Sequence, residues 1–156
     1  MRACIQRVSQ AKVELLDENH RITGQIGNGF LVLLGIGRND VEEDARYLAQ
    51  KITKLRIFED EAGKMNLNLA QVNGRVLVVS QFTLYADSVK GNRPSFVEAA
   101  PPEKASTLYR FFIQELNNLG TPTEEGVFQA NMAVSLTNAG PVTIWLDSVF
   151  KSNGNK

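Results

Sequence analysis

Several residue types that build common functional sites are scarce in this chain. Its 156 residues include one cysteine, Cys4, and one histidine, His20. A single cysteine excludes an internal disulfide, and one cysteine with one histidine argues against a zinc site. No hydrophobic run approaches the length of a membrane-spanning helix, and residues 1–7 lack the apolar core of a signal peptide. We therefore expect a cytoplasmic protein with no metal, no cofactor and no membrane association.

An excess of either charge is also missing. The chain has 17 basic and 17 acidic residues, which argues against a global basic field for nucleic acid but leaves a local basic patch open. The hydrophobic content of 43% and the charged content of 22% are typical of soluble globular proteins. We find no repeat and no linker. We expect a single domain over residues 1–150 and a frayed tail over 151–156.

The hydrophobic pattern predicts more strands than helices. Helical periodicity occurs in two segments, 41–55 and 101–119, the first preceded by Asn39-Asp40 as a possible cap and the second ended by Gly120. Asn73-Gly74 is a typical two-residue hairpin turn, and most other connections also favour hairpins. Short alternating or apolar segments predict strands at 5–16, 21–26, 30–36, 56–58, 66–69, 76–84, 132–136 and 142–146. The predicted fold is therefore α+β, with a curled, largely antiparallel, barrel-like sheet and two main helices.

The most informative stretch begins with the apolar residues 76–79, which predict a strand that is buried on both faces. Ser80, Gln81 and Thr83 follow where further apolar residues would fit. If the strand continues, Gln81 and Thr83 share one face while Ser80 and Phe82 occupy the other. A buried hydroxyl or amide without a partner costs about 1–3 kcal/mol. Its partner is either the neighbouring backbone or a bound ligand, and the pattern alone leaves both open.

The sequence offers no obvious pair of nucleophile and base. His20 lies in a polar turn between two predicted strands, and no lysine neighbours Ser80 or Thr83, whereas a serine hydrolase needs a base beside its nucleophile. The acidic pairs at 42–43 and 124–125 are explained as helix N-terminal charge and as a solvated loop. The chain also lacks a phosphate-binding loop. If the protein is an enzyme, catalysis depends on positioning, backbone N–H donors and a group of the substrate.

Two motifs together resemble those of the D-aminoacyl-tRNA deacylase family, also called D-tyrosyl-tRNA deacylases. They are Ser80-Gln81-Phe82-Thr83-Leu84 and Asn138-Ala139-Gly140-Pro141-Val142-Thr143. The similarity extends from residue 1 to about residue 146 and includes the segments 91–96 and 126–130. Each short motif is modest evidence, but the pair at this spacing and chain length is highly specific.

This resemblance implies a cytoplasmic homodimer that hydrolyses the ester between a D-amino acid and the terminal adenosine of tRNA. It also implies activity on glycine carried by a non-cognate tRNA. The Gly140-Pro141 peptide bond is expected to be cis and to reach into the partner subunit's site. A Gly140 carbonyl that faces the substrate's α-carbon would exclude an L side chain and admit a D residue or glycine.

Roles for individual residues follow from the same resemblance. Ser80, Gln81 and Phe82 are expected at the ester, where backbone N–H groups stabilise developing charge. Thr83 is a possible nucleophile, but we favour a positional role, because the terminal ribose 2′-hydroxyl can assist the attack of water. The other implied contacts are Gly140, Pro141 and Asn138 for the substrate, Phe128 and Met132 for adenine, and, more weakly, Lys90 and Arg93 for tRNA phosphates.

Two hypotheses of other classes stay open. A small dimeric module that binds RNA ends without turnover would use the same surfaces, and release of free amino acid from charged tRNA distinguishes it from an enzyme. A general esterase for small molecules predicts a covalent acyl-enzyme on Ser80 or Thr83, and the absence of a second histidine argues against it. Core packing and solvated loop charge are further explanations for Phe128, Met132, Lys90 and Arg93.

Overall fold

The computed structural model describes residues 1–151, which form eight strands and two α-helices. In chain order these are β1 (Arg2–Leu15), β2 (Arg21–Ile26), β3 (Gly29–Gly35), α1 (Glu42–Thr53), β4 (Phe58–Glu59), β5 (Met65–Leu67), β6 (Arg75–Ser80), α2 (Pro102–Asn118), β7 (Thr123–Glu125) and β8 (Met132–Asp147). Three short 3₁₀ turns also occur, at Ala70–Val72, Phe82–Tyr85 and Ser148–Phe150. Within this range no helix is both long enough and apolar enough to cross a membrane.

One curled, barrel-like sheet of six strands organises the molecule. The sheet runs β2, β1, β3, β6 and β7, with β2 and β3 pairing with different halves of β1, and β8 pairs along nearly the whole length of β1. The pairs of β1 with β2, β3 and β8 are antiparallel, whereas β3–β6 and β6–β7 are parallel. The predicted α+β class, the curled sheet and the two helices are confirmed. The sheet is mixed, because α1 and α2 lie in crossovers that bring β6 and β7 into parallel register.

The predicted hairpin at Asn73-Gly74 is wrong. Asn73 adopts a left-handed conformation, with φ of 50°, but it ends the 3₁₀ turn Ala70–Val72 and leads into β6, which joins β3 rather than β5. A left-handed residue serves the end of a helical turn as readily as a hairpin. The distant partner strand β3 therefore decides which of the two structures forms.

Two further predicted boundaries also change. The strand predicted over 76–84 ends at Ser80, and Phe82–Tyr85 forms a 3₁₀ turn, so the expected alternation of faces beyond residue 80 does not occur. The turn expected at residues 138–141 lies inside β8, whose pairing with β1 is interrupted there: Asn138 and Thr143 are paired, but the residues between them are not. The strand therefore continues on both sides of a local irregularity.

Both helices bury the predicted apolar faces. Helix α1 buries Ala45, Leu48 and Ile52, and α2 buries Leu108, Phe112 and Leu116, all in one core against the sheet. The predicted cap by Asn39-Asp40 is replaced by Asp44, whose carboxylate accepts a hydrogen bond from the Val41 N–H at 2.9 Å. Of the predicted tail, only Lys151 lies within the described residues, and its ammonium is 2.8 Å from Asp44.

Candidate active site

A cleft of about 780 Å³ opens where β6 ends. Its walls come from four segments: residues 36–38 after β3, residues 79–82 at the end of β6, residues 96–105 around the start of α2, and residues 128–134 at the start of β8. Five predicted site residues line it, namely Ser80, Gln81, Phe82, Phe128 and Met132. These residues, distant in the sequence, are therefore brought to one place.

The turn Phe82–Tyr85 begins at the wall of the cleft with Phe82 and is closely packed. It lies against Gly35, where an added Cβ would come within 3.0 Å of the Leu84 Cβ and 3.1 Å of the Gln81 carbonyl oxygen. The Arg2 guanidinium donates a hydrogen bond to the Leu84 carbonyl at 2.9 Å and lies over the Tyr85 ring. The backbone of the turn is therefore held from several sides, as a site for developing charge requires.

Gln81 and Thr83 interact directly with each other. The Gln81 side-chain amide donates a hydrogen bond to the Thr83 hydroxyl. Thr83 is exposed and does not line the cleft, and among residues 1–151 no histidine, lysine or carboxylate contacts its hydroxyl. Thr83 therefore has no base to activate it, whereas its contact with Gln81 suits a positional role.

Tyr85 connects the turn to the loop that follows β3. Its hydroxyl donates a hydrogen bond to the Asp40 carboxylate at 3.2 Å. That carboxylate also accepts a bond from the Gly37 N–H and from the chain's first ammonium group, both at 2.6 Å. Burial, followed by the nearby Asp40 charge, raises the pKa of Tyr85 well above its ordinary value. Tyr85 is therefore a neutral structural donor rather than a base.

An aromatic pair forms the opposite wall. Phe128 is half-buried in the cleft, with its ring centroid 5.9 Å from that of Tyr109. Tyr109 is buried in α2 and donates a hydrogen bond to the Val78 carbonyl at 2.9 Å. Phe128 thus contacts the core through Tyr109 and lines the cleft together with Met132. This arrangement provides an apolar aromatic surface on which a nucleobase can stack.

The cleft is almost free of ionisable groups. Of the nineteen described residues that line it, Arg38 is the only one whose side chain is charged at neutral pH. No cluster of three histidine, cysteine, aspartate or glutamate side chains suitable for a metal occurs within residues 1–151. His20 is exposed in the turn after β1. The cleft therefore supplies amides, hydroxyls and apolar surface, but no general base.

The predicted Gly140-Pro141 element lies outside this cleft. Its peptide bond is cis, as the resemblance implies, and both residues are exposed. The nearly buried Arg7 donates a hydrogen bond to the Ala139 carbonyl at 2.8 Å and another to the Ile57 carbonyl at 2.6 Å. Arg7 thus fixes the backbone beside Gly140.

Three other predicted residues also lie outside the cleft. The Asn138 side chain accepts a bond from the Val142 N–H at 2.7 Å and donates one to the Thr143 hydroxyl at 3.0 Å, so it braces this part of β8. Lys90 and Arg93 are exposed on the loop before α2 and do not line the cleft. The site residues that sequence reasoning missed are Arg7 and Arg38. Both belong to segments of ordinary composition, so no local signal marked them.

Comparisons with known proteins agree with this geometry. Residues 4–147 match the family described as D-Tyr-tRNA(Tyr) deacylase. A D-aminoacyl-tRNA deacylase of Thermotoga petrophila is 55% identical over 148 residues, covering 95% of this chain and 97% of the relative. The corresponding protein of Anaeromyxobacter dehalogenans is 57% identical with the same coverage.

Solved structures share the fold. A c-Myc DNA Unwinding Element Binding Protein superimposes with a TM-score of 0.87 at 39% identity, over 94% of this chain and 98% of that one. A probable eukaryotic D-amino acid tRNA deacylase superimposes with a TM-score of 0.80 over 93% and 97% of the two chains. At 15% identity, this second likeness supports the fold alone.

The sheet, the neutral cleft and these relatives place the chain among ester hydrolases that act on aminoacyl-tRNA. The chain belongs to the D-aminoacyl-tRNA deacylase family. Its activity is the hydrolysis of D-aminoacyl-tRNA to free D-amino acid and tRNA.

Proposed function

We propose that this enzyme hydrolyses its substrate without a side-chain nucleophile or base. The observation that carries the proposal is the composition of the cleft, in which Arg38 is the only described residue that ionises. An arginine stays protonated in proteins and cannot act as a base. The reaction therefore depends on positioning and on a group of the substrate.

The reacting groups can be assigned to the turn that follows β6. The N–H groups of Phe82 and Thr83 make no hydrogen bond to the backbone of residues 1–151. They are suitable donors to the ester carbonyl as it gains negative charge. Water attacks that carbon, the 2′-hydroxyl of the terminal ribose relays the proton to the 3′-oxygen, and the ester bond breaks. Ser80 and Gln81 hold the ester end in place.

Chiral selection would come from Gly140 of a second subunit. Met132 lines the cleft, and Gly140 lies eight residues further along the continuous strand β8. Gly140 does not line the cleft of its own chain, and the stretch Met132–Thr137, which pairs residue by residue with β1, separates it from Met132. A homodimer that brings Gly140-Pro141 to the partner's cleft completes the site. The Gly140 carbonyl then blocks L side chains and admits D residues and glycine.

Two further statements belong to this proposal. Glycine has no side chain to exclude, so we expect glycine on a non-cognate tRNA to be released as well. Since the substrate is aminoacyl-tRNA, we place the enzyme in the cytoplasm. Phe128 and Met132 would hold the terminal adenine by stacking and apolar contact.

Parallel deacylation of one tRNA charged with D-tyrosine, L-tyrosine or glycine tests chiral selection. We expect rapid release of D-tyrosine and glycine, with L-tyrosine spared. Equal release of D-tyrosine and L-tyrosine would contradict the exclusion of L residues by Gly140. Binding of tRNA without release of any amino acid would favour the module that binds RNA ends.

Thr83→Val tests catalysis without a side-chain nucleophile. Valine keeps the shape of threonine but lacks the hydroxyl. We expect the variant to keep at least about one tenth of the turnover, because only a positional bond from Gln81 is lost. Loss of nearly all turnover with unchanged folding and tRNA binding would show that Thr83 is the nucleophile. A trapped acyl-enzyme on Ser80 or Thr83 would lead to the same correction.

Mixed dimers test the cross-subunit role. In a dimer with one Gly140→Ala chain, the added Cβ would lie 2.7 Å from an Arg7 nitrogen and 2.8 Å from Val142 Cγ2, at a φ of 135°. We expect about half of the sites to be lost. Full activity of such mixed dimers would contradict a cross-subunit role for Gly140.

A further inference from the structure

We propose that Arg38 binds the 5′-phosphate of the terminal adenosine of the tRNA and so sets the direction in which the substrate enters the cleft. This inference rests on the proposed function, because it takes the aminoacyl end of tRNA as the occupant of the cleft. It differs from the sequence prediction, which assigned phosphate contacts to Lys90 and Arg93.

The backbone at Arg38 is held on both sides. The Arg38 N–H donates a hydrogen bond to the Glu98 carbonyl at 2.9 Å, and Gly37 pairs with Ala99 in an isolated bridge. The Lys104 ammonium donates a hydrogen bond to the Arg38 carbonyl at 2.8 Å. The position from which the Arg38 side chain extends is thus fixed at the wall of the cleft.

Among residues 1–151, the Arg38 guanidinium has no hydrogen-bond or ion-pair partner. Among the nine arginines, all of which lie within the described residues, seven make a side-chain hydrogen bond or ion pair. They are Arg2, Arg7, Arg21, Arg46, Arg56, Arg75 and Arg110. The two exceptions are Arg38 and Arg93, and of these only Arg38 lines the cleft. An unpaired guanidinium in an otherwise neutral cleft attracts an anion, and its planar fork suits phosphate.

The chemistry of the substrate selects which anion this is. An aminoacyl-adenosine end carries a positive ammonium on the amino acid and a negative phosphate on the 5′-oxygen of the same nucleoside. Arg38 repels the ammonium and attracts the phosphate. The amino acid is therefore directed to the turn Phe82–Tyr85, and the phosphate is directed to the wall formed by residues 36–38. The remaining nucleotides leave the cleft on the Arg38 side.

Three esters of the same D-amino acid separate this role from a structural one. They are the charged tRNA, the ester of adenosine 5′-monophosphate and the ester of adenosine, which has no phosphate. The hydrolysis of each ester is measured with the unaltered enzyme and with the Arg38→Met variant. Arg75→Met is the matched control, because Arg75 lies at the far end of β6 and pairs with Glu124 outside the cleft. Arg93→Met tests the sequence prediction that Arg93 contacts a tRNA phosphate.

We expect Arg38→Met to raise KM about 10-fold for the tRNA and for the monophosphate ester, the scale of one hydrogen-bonded charge. KM for the adenosine ester should stay unchanged, and kcat should change little for all three. The slope of log KM against log salt for the tRNA should fall by about 0.7, the value for one phosphate on a single strand. The two control variants should leave the KM of the monophosphate ester unaltered.

Equal effects of Arg38→Met on all three esters would overturn the proposal and make Arg38 a structural residue. If only Arg93→Met raises KM, the phosphate contact lies on the loop before α2 and the proposal is overturned. If the unaltered enzyme hydrolyses no D-ester, the proposed function fails separately. Binding of a CCA oligonucleotide then decides the proposal: weaker binding by Arg38→Met than by Arg75→Met supports the phosphate contact, and equal binding overturns it.

Discussion

The Nε atom of Arg7 lies 2.8 Å from the carbonyl oxygen of Ala139, the residue before Gly140. Arg7 projects from β1 and is 7% exposed, so this bond joins two long strands from within the protein. A second bond reaches the Ile57 carbonyl at 2.6 Å, and the guanidinium is 3.4 Å from the Glu59 carboxylate. Arg7 is thus held by the Ile57 carbonyl and the Glu59 carboxylate while it binds the backbone beside Gly140.

Replacing Arg7 with methionine should weaken both the fold and chiral selection. It leaves the Ala139 and Ile57 carbonyls without their donor, at a cost of about 2–4 kcal/mol in the free energy of unfolding. Because Gly140 loses its support, we expect the ratio of D-tyrosine to L-tyrosine release to fall, even at temperatures where the variant is folded. Urea unfolding and parallel deacylation assays measure the two effects. An unaltered ratio in the folded variant would show that Arg7 does not contribute to chiral selection.

Phe128 should contribute to substrate binding by stacking of its aromatic ring on the adenine. Stacking of a nucleobase on an aromatic side chain contributes about 1–3 kcal/mol, so Phe128→Ala should raise KM about 5-fold to 150-fold, with a smaller effect on kcat. Phe111→Ala is the control. Phe111 lies in α2, where the Arg46 guanidinium of α1 lies over its ring, and it does not line the cleft. Similar KM values for the two variants would assign Phe128 to the core alone.

The pH dependence of the reaction should contain no ionisation of the enzyme between pH 5 and pH 9, a range of about 4 units in which histidine, cysteine and catalytic carboxylates titrate. The described lining has no such group, and burial raises the pKa of both Tyr85 and Tyr109, which keeps them neutral. We expect only the α-amino group of the substrate to appear in kcat/KM. A bell-shaped profile that persists with a D-hydroxyacyl substrate would reveal an enzyme base.

Acid should remove a stabilising contribution of Asp44. Burial by itself raises the pKa of Asp44, but hydrogen bonds from Lys151 and the Val41 N–H outweigh it, and the pKa lies below its ordinary value. A depressed folded pKa stabilises the protein above the unfolded pKa of about 3.9, and this contribution is lost as pH falls through the folded value.

Asp44→Asn should therefore lower the free energy of unfolding at pH 7 by about 1–2 kcal/mol, the scale of one or two hydrogen bonds to a charge. Urea unfolding at pH 7 and at pH 3 measures it, and the difference from the unaltered protein should be smaller at pH 3. Glu42→Gln, an exposed change in the same helical turn, serves as control. A difference that does not depend on pH would show that the Asp44 charge is not involved.

Local patterns were sufficient to predict both helices, because the apolar spacing of Leu48 and Ile52, and of Phe112 and Leu116, is itself the signal for burial. The conformation of the turn Phe82–Tyr85 was not predictable in this way. It depends on close packing against Gly35, which lies 47 residues before Phe82 in the sequence. Parallel pairing of β6 with β3 likewise has no local signature.

Residues 80–82 of the motif line one wall of the cleft, but the sequence alone could not reveal the other walls. Arg38 and Phe128 meet Ser80 only because the sheet curls and α2 crosses over it. Arg7 appears in sequence as an ordinary polar residue in an alternating strand, and only the approach of β8 gives it its partners.

The continuity of β8 limits how this protein can change over evolutionary time. Met132–Thr137 pairs with β1 residue by residue, so we expect the length of this stretch to tolerate change less than its side chains do. Loss of one residue there would turn the side chains that follow in the stretch to the opposite face of the sheet, and loss of two would shift them about 7 Å along β1. We therefore expect insertions and deletions to be accepted in the loops before they are accepted in this stretch.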